Sequence, residues 1–191
     1  MRYVRSSILL LLLLALITGL AYPLLVTGLG QWLFPSQANG SLIYRQDKAV
    51  GSALIGQPFS RDGYFLGRPS ATADSAYNTL ASGGSNLAGN NPALDKAISQ
   101  SVDGWHKRIG NTEPVPVDLV TSSASGLDPN ISPQAAYYQA GHIAQVRGIS
   151  REQVEQLINR TIQNPQPAFA GGPVVNVLLL NMALDQLKPL P

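Results

Sequence analysis

Serines, a glycine and an acid lie close together in Ser122-Ser123-Ala124-Ser125-Gly126-Leu127-Asp128, residue types from which a serine nucleophile could be built. Such a nucleophile needs a base, usually histidine, and a third group to orient it. The chain has two histidines, His106 and His142, neither in a recognisable catalytic setting, and the Gly-x-Ser-x-Gly elbow is absent. Metal chemistry has no better footing. Two lone histidines and scattered carboxylates show no ligand spacing, and the lack of any cysteine removes thiolate sites and disulfides. The stretch Ala81-Ser82-Gly83-Gly84-Ser85-Asn86 invites comparison with a phosphate-cradling loop but lacks the Lys-Ser/Thr that would follow. It reads as a surface loop. The basic run His106-Lys107-Arg108 could hold an anion, yet cations near a helix C-terminus are favoured by the macrodipole alone. Acceptor triplets for glycosylation at Asn39, Asn130 and Asn159 are short enough to arise by chance.

The elements that would position these residues fall into two halves. Residues 37–91 are rich in Gly, Ser, Asn and Pro, and the short apolar pieces at 53–55 and 64–66 read as strands between turns. From Asn91 the pattern becomes helical: Asn91 is an N-cap, Pro92 the first helical residue, and Leu94, Ile98, Val102, Trp105 and Ile109 recur at helical spacing up to Gly110. Residues 115–121 read as a strand. Ser132 and Pro133 open a second helix closed by Gly148, and Ser150 with Gln153 forms a capping-box pattern for a third. A last helix follows Asn176, with Val177, Leu180, Leu184 and Leu187 on one face. The expected fold is α+β, a single domain behind one N-terminal transmembrane helix.

That helix is written in an uncharged stretch from Ser6 to Gln37 with six consecutive leucines, Leu9 to Leu14. Those leucines alone favour bilayer entry by about 2 to 4 kcal/mol. A helix over residues 6–34 would be roughly 43 Å long, against the roughly 30 Å a hydrocarbon core requires. A cleaved signal peptide is the competing reading, with Gly19-Leu20-Ala21 resembling its processing site. Apolarity continues through Tyr22, Leu24, Leu25, Val26, Leu29, Trp32, Leu33 and Phe34, which favours a retained anchor. Pro23 removes one backbone donor and is positioned to kink the span. Gly19, Thr27, Gly28 and Gly30 are small enough to let another transmembrane helix approach.

Arg2 and Arg5 precede the span without any acid, whereas the first charges after it are Arg45, Asp47 and Lys48. The positive-inside rule then implies a cytoplasmic N-terminus over residues 1–5, a transmembrane helix over 6–34 and an extracytoplasmic domain over 35–191. Setting aside Arg2 and Arg5, 11 of the 13 basic residues remain against 11 acids. The exported part is formally neutral, so the basic isoelectric point is no argument for nucleic acid.

The segment Asp118-Leu119-Val120-Thr121-Ser122-Ser123-Ala124-Ser125-Gly126-Leu127-Asp128-Pro129 closely resembles the signature of the C subunit of Kdp-type potassium-transporting P-type ATPases of bacteria and archaea. Further motifs resemble that family in its order: Tyr22-Pro23-Leu24-Leu25, Gly30-Gln31-Trp32, Ala38-Asn39-Gly40-Ser41, residues 51–57, Gly67-Arg68-Pro69-Ser70-Ala71, Ser82-Gly83-Gly84-Ser85-Asn86 and Val174-Val175-Asn176-Val177. The resemblance implies a non-catalytic accessory subunit, single-pass in the cell inner membrane. Its implied partners are a potassium-selecting channel-like subunit, an ATP-hydrolysing P-type subunit and a small accessory subunit. ATP, potassium and magnesium would be used by the complex, with none assigned to this chain. Its implied signature residues are Ser123, Ser125, Gly126, Leu127 and Asp128. The family is described as a catalytic chaperone raising ATP affinity, through a glutamine that corresponds to Gln139. The charge argument opposes that contact, because it puts Gln139 across the membrane from cytoplasmic ATP. This chain also carries His142 where the family often has arginine. The rival class is an anchored, exported binding protein or hydrolase acting alone.

Overall fold

A computed structural model of the chain describes residues 2–190, and they divide into two compact units that part between Ser52 and Ala53.

The first unit opens with a helical run of 32 residues, Arg2–Leu33, long and apolar enough to cross a membrane. It comprises α1 (Arg2–Leu16), a π turn (Ile17–Ala21) and α2 (Tyr22–Leu33). The π turn has a local cause. Pro23 offers no N–H to the carbonyl of Gly19 and its ring crowds that carbonyl, so the ladder widens and Tyr22 N–H reaches back five residues to Ile17 O. Thr18 Oγ1 donates to Leu14 O and Ser7 Oγ to Tyr3 O, each at 2.8 Å. Both hydroxyls are thereby satisfied inside the helix, as a lipid environment demands. A four-residue helix, α3 (Pro35–Ala38), leads to an antiparallel hairpin of β1 (Leu42–Arg45) and β2 (Lys48–Ser52). Gln46 and Asp47 turn the hairpin with φ of 50° and 60°.

The second unit contains α4 (Pro92–Ile109), α5 (Pro133–Arg147), α6 (Arg151–Thr161) and α7 (Val177–Leu187). Its three-stranded antiparallel sheet has the order β3 (Asn130–Ile131), β5 (Val174–Asn176), β4 (Ile162–Gln163). Helix ends follow local chemistry. Asn91 accepts from Ala93 N–H and Gly110 closes α4 with φ of 76°, while Ser132 accepts from Ala135 N–H and Gly148 closes α5 with φ of 59°. Ser150 and Gln153 form both halves of a capping box on α6. The core gathers Ile131, Ile143, Val154, Ile158, Val175, Leu180 and Leu184, and burying each such side chain contributes about 1.5 to 3 kcal/mol. Ala135, Ala136, Ala140 and Ala144 keep the buried face of α5 thin, and α5 packs on α6, which packs on α7.

Three expected strands are absent. The strands of the Gly-rich half lie at 42–45 and 48–52, with a lone bridge residue at Ile55 and no strand at 64–66. Residues 117–119 form a 3-10 turn instead of a strand. Pro114 and Pro116 remove the donors a ladder would need, and the Leu119 carbonyl is taken by Trp105 Nε1 at 3.0 Å and Ser101 Oγ at 3.2 Å, both from α4.

Candidate functional site

The signature loop is a junction. Gly126 is buried with φ of +66°, a conformation that glycine adopts without strain. A Cβ there would lie 2.6 Å from Gly83 O and 2.7 Å from Thr72 Cγ2. Ser70 Oγ donates to Gly126 O at 2.7 Å, Gly83 N–H to Ser125 O at 2.8 Å, and Gly56 N–H to Leu127 O at 2.8 Å. Val177 N–H donates to Pro129 O at 2.9 Å, and Asn130 pairs with Asn176 across β3 and β5. Asn176 also caps α7 through Leu179 N–H and donates to Ala53 O at 2.8 Å. Five of the resembling motifs, far apart in the chain, are therefore one hydrogen-bonded assembly.

Charge sits at its rim. Arg68 Nη1 lies 3.3 Å from Asp128 Oδ2, and Asp128 Oδ1 accepts from Asn130 N–H. Tyr77 donates its phenol to Arg68 O at 2.6 Å; burial, then the Asp128 charge, push that phenol above its usual range. Asp118 accepts from Ser132 N–H at 2.6 Å and from Ser132 Oγ, so it steadies the cap of α5. Ser123 and Ser125 place their hydroxyls 3.3 Å apart, and Ser125 Oγ accepts from Leu127 N–H. The histidines are engaged elsewhere: His106 Nε2 pairs with Glu113 O and His142 Nε2 with Asp62 Oδ1. Among the described residues no three His, Asp or Glu side chains converge as a metal site.

Gln139 stands apart from that junction, on the inner face of α5 with 2 % of its surface exposed. Its Oε1 accepts from Leu66 N–H at 2.8 Å, and its Nε2 donates to Leu66 O at 3.1 Å and Ala135 O at 3.2 Å. Asn181 on α7 does the same for the preceding residue: Phe65 N–H donates to its Oδ1 at 2.8 Å, and its Nδ2 donates to Phe65 O at 2.9 Å. Successive residues of an extended chain direct their backbone groups to opposite sides. Residues 65 and 66 therefore run between two helices, each side held by one amide. This replaces the strand partner that the apolar run at 64–66 lacks.

A buried guanidinium closes the same segment. Arg147 Nε donates to Gly63 O at 2.8 Å and Nη2 to Asp185 Oδ1 at 3.0 Å, while the group stacks 4.8 Å from the Tyr64 ring centroid. Asn181 and Arg147 escaped the sequence reading. Asn181 had left a signal, as an amide between Leu180 and Leu184 on the apolar face of its helix.

Asp62 joins two helices, 2.8 Å from His142 Nε2 on α5 and 2.9 Å from Arg108 Nη2 on α4. The hydrogen bond from His142 is the main reason its carboxyl is held below the usual range, with the Arg108 charge adding to it. With the folded pKa depressed, the stabilisation is fully present above the unfolded value of about 3.9 and is lost as pH falls through the folded value. The domain should therefore unfold more readily below about pH 4, and Asp62→Asn should flatten that part of a urea-midpoint-against-pH curve. An identical slope in the variant would show the carboxylate contributes nothing.

Fold and junction together define a class: a protein with one long apolar N-terminal helix and an α+β unit whose separated motifs meet in one junction. A family model described as "K+-transporting ATPase, c chain" matches residues 4–186. The chain is 64% identical over 191 residues, the whole of both chains, to the potassium-transporting ATPase KdpC subunit of Pectobacterium atrosepticum. It is 60% identical to the KdpC subunit of Erwinia tasmaniensis, with 98% of this chain and 100% of that one covered. To the Yersinia enterocolitica KdpC subunit it is 59% identical, with 97% and 93% covered. The chain belongs to the KdpC family, the c chains of potassium-transporting ATPases.

Proposed function

We propose that the chain is a non-catalytic accessory subunit of a high-affinity, ATP-driven potassium uptake complex in the cell inner membrane. Residues 1–5 stay in the cytoplasm, 6–34 span the bilayer and 35–191 lie outside. This follows from Arg2 and Arg5 before the span and the balanced charges after it. The span packs against transmembrane helices of the partners: a channel-like potassium-selecting subunit, the ATP-hydrolysing subunit and a small subunit. The outer domain caps the external potassium entrance.

The observation that carries this reading is the state of Gln139. Its amide is buried and engaged with the backbone of Leu66 and Ala135, so it has no free edge to offer a nucleotide. Any rise in ATP affinity of the hydrolysing subunit is then transmitted through subunit contacts. ATP, magnesium and potassium are handled by the partners. Deleting residues 53–191 while keeping the helix should abolish high-affinity uptake in cells that express the other subunits. Unchanged uptake and unchanged recovery of the complex would defeat the accessory reading.

A further inference from the structure

Gly104 lies well inside α4, where glycine costs helix stability relative to alanine. Packing within the α+β unit does not explain it, since a Cβ there would meet no atom within 4 Å. What its bare edge borders is a cleft of about 390 Å³, a size that suits a small ligand or a single side chain. Trp105 and Leu119, both buried, and the partly buried Phe59 and Leu66 give that cleft an apolar lining.

The polar groups that share the lining have donors to spare. Arg68 is the one ionised side chain among them, and its partner Asp128 borders a neighbouring cleft instead. The contacts of Arg68 to Asp128 Oδ2, Thr121 O and Thr121 Oγ1, at 3.3, 3.4 and 3.5 Å, are long for a guanidinium. They leave two of its N–H groups without a partner among the described residues. The Gln57 carboxamide, also on the lining, has no hydrogen bond to any described residue. By contrast, Ser70, Ser101 and Tyr77 have already given their protons to Gly126 O, Leu119 O and Arg68 O. A ligand that matches this lining brings acceptor oxygens and an apolar body.

We infer that this cleft binds a carboxylate carried on an apolar or aromatic body, with Arg68 and Gln57 supplying the donors and Trp105 with its apolar neighbours taking the body. Guanidinium and carboxylate match in shape as well as charge. A cationic ligand is the poorer occupant, because no carboxylate lines the cleft. The bare edge of α4 at Gly104 then has a purpose: any larger side chain there would take up the space the ligand needs. The inference stands on the α+β unit alone and does not require the accessory-subunit reading.

The chain has two tryptophans, Trp32 and Trp105, so Trp32→Phe leaves Trp105 as a reporter inside the cleft. In the purified full chain carrying that change, phenylacetate at neutral pH should alter Trp105 fluorescence saturably in the millimolar range. Phenethylamine, the same body with a cation, should not. Gly104→Leu should abolish the response without lowering the thermal midpoint, since its side chain enters open space. Arg68→Gln should weaken phenylacetate binding at least about tenfold through loss of the charge-assisted bonds. The same titration on the chain assembled with its partner subunits separates two sources of the carboxylate. Retained binding means a free small molecule, and exclusion of the probe means a side chain of a partner. No saturable response, an equal response to the amine, or undiminished binding in Gly104→Leu overturns the site.

Discussion

Replacing Gln139 with alanine is expected to lower the thermal midpoint of the α+β unit by about 10 °C. The substitution leaves Leu66 N–H and Leu66 O without their partner, and each buried orphaned group costs about 1 to 3 kcal/mol. Two such groups amount to roughly 2 to 6 kcal/mol, which corresponds to a shift of that order for a domain of this size. Gln139→Glu should be no milder. It keeps an acceptor for Leu66 N–H, but it sets a carboxylate against Leu66 O in a site that is 2 % exposed. Thermal unfolding of the purified chain decides the matter. A group that served nucleotide from the surface would leave the midpoint where it was and change only the ATP dependence of the complex. Loss of stability in both variants identifies Gln139 as a clamp on the chain, and an unaltered midpoint in Gln139→Ala would refute it.

Gly126→Ala should be at least as damaging. The residue has φ of +66°, where a Cβ costs roughly 1 to 2 kcal/mol by itself. The added carbon would also meet Gly83 O at 2.6 Å and Thr72 Cγ2 at 2.7 Å. Gly83 cannot retreat freely, since its own N–H is bonded to Ser125 O, and the carbonyl of Gly126 is held by Ser70. A total on the order of 3 to 5 kcal/mol is expected, read from the urea midpoint, with the signature loop detached from the segments it joins. The control is Gly104→Ala in α4. That site has open space around it and a helical backbone, so alanine should stabilise by about 0.5 to 1 kcal/mol. Equal effects at the two positions would mean that strain at Gly126 is not what selects glycine there.

Much of the helical framework was legible before any coordinate. Asn91-Pro92 with Gly110, Ser132-Pro133 with Gly148, Ser150 with Gln153 and Asn176 all mark helix ends where the structure has them. Capping is chemistry between residues two to four apart, and such neighbours are visible in the chain itself. The class is α+β as expected, but its strands stand elsewhere than at 53–55, 64–66 and 115–121. The signature residues Ser123, Ser125, Gly126, Leu127 and Asp128 were found by resemblance, without any account of what they touch.

The strands were misplaced where a segment's partner lies far along the chain. Residues 64–66 have the apolar pattern of a strand, yet their backbone bonds run to side chains 73 and 116 positions away. Nothing within a local window distinguishes an amide on a helix from a neighbouring strand. Residues 115–121 failed similarly, because the Leu119 carbonyl is satisfied by α4 through Trp105 and Ser101.

By itself, the sequence determined the apolar helix, the ends of the long helices and the family, since hydropathy, capping and ordered motifs are properties of the chain read in one dimension. Only the tertiary structure decided that five separated motifs form one junction around Gly126, and that Gln139 grips Leu66 while Asn181 grips Phe65. The physical reason is that a buried polar group must find a partner, and which partner it finds depends on what folding brings within 3 Å, wherever that residue stands in the chain.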